Sequence, residues 1–134
     1  MGEFWEDFAP GWSDEVGPHA VTATEMLALA DAGAAAISAI AWRMGLNSRL
    51  RQAAMLGSTT VQRLALRAPV RPGDRLTLRT MVVAVTPLAD RTDRGVVDAR
   101  YELRNDSGTV VLEMDGRSVL QRRRAGGLRS RRSP

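Results

Sequence analysis

From Ala23 to Met44 the chain runs without a proline through Ala, Leu, Ile and Met in abundance. A run of such strong helix formers reads as one helix, about 33 Å long at 1.5 Å per residue. Thr22-Ala23-Thr24-Glu25 opens it as a capping box: the Thr22 hydroxyl accepts from the Glu25 amide, and the Glu25 carboxylate accepts from the Thr22 amide. Gly45 supplies the stop, and Arg43 complements the dipole of the last turn. The run is apolar nearly all round, so it is expected to be buried on most faces. It is short for a membrane span, rich in Ala, and interrupted by Asp31. That combination favours a buried core helix in a cytoplasmic protein.

After Gly57 the period changes from helical to alternating. Strands are expected over 59–67, 76–85, 95–104 and 109–121, separated by Pro72-Gly73-Asp74, by the charged stretch 87–94 and by Asn105-Asp106-Ser107-Gly108. Residues 47–54 read as a polar loop or helical turn. A helix followed by four strands on short connections implies an α+β domain, an antiparallel meander with the helix on one face. The lead-in, with Phe4, Trp5, Phe8 and Trp12, is expected to pack against a core or a partner, and a short strand precedes Val21.

The chemistry available is narrow. There is no cysteine, hence no disulfide or thiol nucleophile, and the single histidine, His19, argues against a metal site. No cofactor is expected. Residues 1–7 are acidic and aromatic, unlike a secretory leader. All 19 basic residues are arginine, and six of them lie in the last fourteen positions. Without those six the chain has a net charge of −2. The domain is therefore expected to span 1–121, with 122–134 a basic, solvated tail. No aromatics are interleaved with its arginines, which argues against nucleic acid as a partner.

Two stretches resemble the MaoC-like dehydratases, the (R)-specific enoyl-CoA hydratase group of the hotdog superfamily. One is Phe4-Trp5-Glu6-Asp7-Phe8-Ala9-Pro10-Gly11 followed by Val21-Thr22-Ala23-Thr24-Glu25-Met26, similar to the family's aromatic opening and helix start. The other is Pro69-Val70-Arg71-Pro72-Gly73-Asp74-Arg75-Leu76, similar to its Pro-Val-x-Pro-Gly-Asp-x-Leu turn. The resemblance implies a single hotdog fold, a long central helix wrapped by an antiparallel sheet. It also implies an acyl thioester of coenzyme A or of an acyl-carrier protein as substrate, and a homodimer or a hetero-oligomer with another hotdog subunit. The family's Asp-x-Asn-Pro-x-His segment is missing: at family spacing Ala35 stands for the Asp and Ile40 for the His, and no Asn-Pro occurs. A second resemblance is that of Leu27-Ala28-Leu29-Ala30-Asp31-Ala32 to the central helix of phenylacetyl-CoA-type hotdog thioesterases, whose helix Asp attacks or activates at the thioester.

Three residues are candidates for catalysis. Asp31 is either a carboxylate on the helix edge or the thioester base of a cleft, since an unpaired acid is costly to bury there. Glu25 serves the capping box or acts as a general base, with the positive helix end holding its pKa low. His19, the only imidazole, is a surface residue or an acid/base group that approaches a partner's helix. Thr24, Ser58 and Thr59 are candidates for substrate contact. Three functions stay open: a hydratase or dehydratase with a non-standard site, a thioesterase using Asp31, and a noncatalytic acyl-binding or partner subunit. No membrane partner is expected.

Overall fold

The computed structural model describes residues 3–57 and 59–123. Five strands form one antiparallel sheet: β1 (Ser13–Ala20), β2 (Thr60–Leu66), β3 (Arg75–Leu88), β4 (Arg91–Arg104) and β5 (Val110–Gln121), in the order β1-β3-β4-β5-β2. The expected meander holds for β3, β4 and β5. It fails at the edges, because the strand that follows the helices crosses to the far side and pairs with β5. The β1 strand precedes Val21 as expected and pairs along one edge with the Arg75–Met81 half of β3. Strand alternation decides the faces: Leu76, Leu78, Thr80 and Val82 of β3 point inward, as do Val97, Ala99, Tyr101 and Leu103 of β4.

The helical run is not one helix. It divides into α1 (Ala23–Ala32) and α2 (Ala34–Gly45) at Gly33, whose φ of 57° and ψ of −127° are open to glycine but strained for other residues. Gly33 ends α1 by donating its N–H to Leu29 at 2.9 Å, and its carbonyl accepts from Ala36 at 3.0 Å as α2 begins. The break is a reversal. Arg43 Nη2 donates to Glu25 Oε2 at 2.7 Å, whereas a straight helix would put residues 25 and 43 about 27 Å apart. Folded back, α2 lies on the sheet with Ile37, Ile40, Ala41 and Met44 buried, and α1 lies outside α2 with no fully buried residue. Leu27 on α1 is 73% exposed, so the expectation of a helix buried on most faces is corrected for its first half. Propensity and apolar content could not show the break, because Gly33 sits among alanines that favour helix on both sides.

The stretch 47–54 forms turns, as expected, with Ser48 and Leu50 fully buried and Asn47, Arg49 and Gln52 exposed. Asp14 of β1 fixes it, accepting from the Arg49 amide at 2.9 Å and the Ser48 hydroxyl at 3.1 Å. The aromatic lead-in packs as expected: Trp5 donates Nε1–H to the Val96 carbonyl at 3.0 Å, and Phe8 meets the edge of Trp12. Arg122 and Arg123 pair with Glu6 and Asp7, tying the end of β5 to the lead-in. The rest of the expected tail, 124–134, lies outside the described residues.

Candidate functional site

An apolar groove of about 360 Å³ runs between α2 and the β5–β2 side of the sheet. Ala35, Ser38, Ala39 and Trp42 line it from α2, with Thr59, Val61, Leu64 and Met114 opposite. Ala35, Ser38, Ala39 and Trp42 recur at helical spacing, so one flank of α2 presents a stripe of small residues closed by an indole. Leu64 and Met114 are register partners on β2 and β5, which puts both side chains on the helix-facing side. Among the described residues, none that lines the groove is titratable.

A polar cluster occupies a separate place. His19, on β1, donates Nε2–H to Glu25 at 2.8 Å from Oε1 and 2.9 Å from Oε2. Glu25 also accepts from the Thr22 amide at 2.9 Å, closing the capping box, and from Arg43. Partial burial pushes its carboxyl up, but the Thr22 amide and His19 outweigh this and hold it below the usual glutamate range. One carboxylate thereby clamps β1, the start of α1 and the end of α2. His19 and Glu25 read as separate candidates in sequence, because their meeting depends on how β1 lies beside α1.

The other candidates scatter. Asp31 is exposed near the end of α1, and the break at Gly33 removes the helical neighbours Ala34 and Ala35 that a continuous helix would give it. Thr24 is exposed in the first turn of α1, and Ser58 lies outside the described residues. Thr59 is buried, lines the groove, and shares a 2.8 Å hydrogen bond with Ser118. The strand arginines include a paired set: Arg63 reaches Asp115 at 2.8 Å and Glu113 at 3.3 Å, and Arg100 reaches Asp115 at 3.0 Å. Trp42 and the stripe of small residues escaped notice as a site because a helix read as buried all round offers no face to a ligand.

Among solved structures, a MaoC-like dehydratase from Rhodospirillum rubrum superposes with a TM-score of 0.80 at 28% identity, covering 92% of this chain and all of that one. The fold is the hotdog fold, and it is similar to that of this MaoC-like dehydratase. An (R)-hydratase from Pseudomonas aeruginosa is similar at a TM-score of 0.56 and 16% identity, over 90% of this chain and 86% of its own. The truncated HadBC (3R-hydroxyacyl-ACP dehydratase) complex from Mycobacterium tuberculosis matches at 0.56 and 17%, over 84% of this chain and 97% of its own. No family model and no curated protein matches the sequence. Within this hotdog frame, Ala35 opens onto the groove while Ile40 is buried against the sheet. Among the described residues no helix is long and apolar enough to cross a membrane.

Proposed function

We propose that the chain is a MaoC-like hotdog subunit that binds acyl thioesters of coenzyme A or an acyl-carrier protein, with the acyl chain along the α2–β2 groove and a degenerate acid/base site. The observation that carries this is the groove itself: a mainly apolar lining of small and aliphatic side chains with the indole of Trp42, without a titratable group among its described lining residues. Decanoyl-CoA is expected to bind at least tenfold more tightly than free coenzyme A, and Ala39→Trp, which fills the groove, is expected to remove that difference. Equal affinity for the two would end this reading.

The second reading is a hydratase, favoured by the 2.8 Å approach of His19 to Glu25. An imidazole held by a carboxylate is the usual equipment of a general acid/base. It predicts hydration of a trans-2-enoyl-CoA that His19→Ala abolishes. Release of free thiol from acyl-CoA that survives Asp31→Asn would remove Asp31 from consideration.

A second hotdog subunit, of this chain or another, is the expected partner. The two sheet edges differ. The β1 edge carries Pro18, a bulge and charges, whereas β2 exposes Val61, Leu64 and Leu66 beside an unpaired strand backbone. An exposed apolar edge strand is the kind that pairs with another chain.

A further inference from the structure

The groove has one fixed end and one open end. Along α2 the lining residues Ala35, Ser38 and Ala39 carry small side chains, and Trp42 follows them with an indole. The ring is held from behind. The Arg51 guanidinium lies over it at 4.3 Å and is not itself part of the lining. Arg51 is packed in turn against the end of α2, where a Cβ added at Gly45 would stand 3.6 Å from its Nη1. The indole is therefore a braced wall, not a side chain free to swing aside.

Thr59 fixes the opposite side of the same end. It is 8% exposed, and its hydroxyl shares the 2.8 Å hydrogen bond with Ser118. Its methyl occupies the space left by Gly116, where an added Cβ would stand 2.8 Å from it. Tyr101 of β4 has Thr59, Ser118 and Arg51 all as neighbours, which places Thr59 and the braced Trp42 together. At the other end Ala35 is exposed and Leu64 is 43% exposed.

We infer that Trp42 limits the length of the acyl chain, with the thioester at the Ala35 end and the terminal methyl group against the indole. This rests on the reading of the groove as an acyl-chain site. From Ala35 to Trp42 the helix advances about 10 Å at 1.5 Å per residue. An extended chain of single bonds advances about 1.2 Å per bond, since a peptide covers about 3.5 Å over the three backbone bonds of each residue. The groove therefore takes about eight to ten carbons, a medium-chain acyl group. Further methylenes stay in water at the open end and add no affinity.

The test is equilibrium binding of hexanoyl-, octanoyl-, decanoyl-, dodecanoyl- and tetradecanoyl-CoA to the full chain and to variants of it. Wild-type affinity is expected to rise by up to about fourfold per added methylene, the effect of burying one. It should level off at about ten carbons. Trp42→Ala should carry the rise on, so that tetradecanoyl-CoA binds at least about fourfold more tightly than decanoyl-CoA. If Trp42→Ala does not fold, Trp42→Leu, which keeps an apolar side chain, replaces it and should move the limit in the same direction. Ala39→Leu, at an exposed position about 4.5 Å nearer the open end, should end the rise about three or four carbons earlier. A wild-type affinity that climbs steadily through tetradecanoyl-CoA, or a limit that a folded Trp42 variant leaves in place, overturns the proposal while the groove reading stands. If no chain length binds better than free coenzyme A, the groove reading has failed and the length limit falls with it.

Discussion

Replacing Gly33 by alanine tests the helical reversal, on which the placement of the cluster and the open flank of α2 depends. Nothing lies within 4 Å of a Cβ added at Gly33, so a clash contributes nothing and the cost comes from the backbone. Holding an L-residue in that sparsely populated region costs about 1–3 kcal/mol. A continuous helix would meanwhile gain about 1 kcal/mol from alanine over glycine. The substitution therefore shifts the balance between hairpin and straight helix by about 2–4 kcal/mol. In thermal unfolding the variant should melt lower, by a few degrees for each kcal/mol. The geometry itself can be read by electron–electron distance measurement with labels at Thr24→Cys and Leu46→Cys, both exposed, in a chain that has no other cysteine. With Gly33 present the labels should be close. Straightened, they would lie about 33 Å apart. A long distance in the Gly33 protein, or a Gly33→Ala variant that melts no lower, would refute the reversal.

The Glu25→Gln variant should loosen α1 from β1 and α2, seen as faster amide exchange across Ala23–Ala32 with the strands unaffected; uniform protection would show that the clamp adds nothing. The carboxyls of Glu25 and Asp115 are pushed up by burial but held low by hydrogen bonds, from the Thr22 amide and His19 for Glu25 and from Arg100 and Arg63 for Asp115. Their contribution is therefore complete above the ordinary carboxylate pKa of about 4 and is lost as pH falls through the lowered values. Denaturant melts should show lower stability at pH 3 than at pH 6, and Asp115→Asn should reduce that difference. Val61→Lys on the open edge strand should lower self-association measured by sedimentation without lowering Tm; an unchanged assembly would place the contact elsewhere.

Much of the fold was legible in local patterns. The capping box at Thr22–Glu25, the turn at Pro72-Gly73-Asp74 and the hairpin at Asn105–Gly108 each satisfy their own backbone groups within a few residues, so spacing alone reveals them. Gly33 could not be read that way. Its role depends on α2 having a sheet to lie on and on Arg43 reaching Glu25, both long-range facts. The site was less legible still. His19 and Glu25 were visible as chemistry-bearing types, but their 2.8 Å contact follows from the placement of β1. Tyr101, Gly116 and Ser118 converge only after β4 and β5 pair in register, and in sequence they are ordinary strand residues. The resemblance to MaoC-like dehydratases supplied the architecture that these local signals lacked.

The most direct test of the acyl-groove account is methyl NMR of the protein labelled at its methionines while decanoyl-CoA is added. Met114 lines the groove, whereas Met81 alternates to the outer face of β3. Saturating ligand should move the Met114 methyl resonance and leave Met81 in place. Binding that leaves Met114 unmoved would put the acyl chain somewhere else and contradict the account.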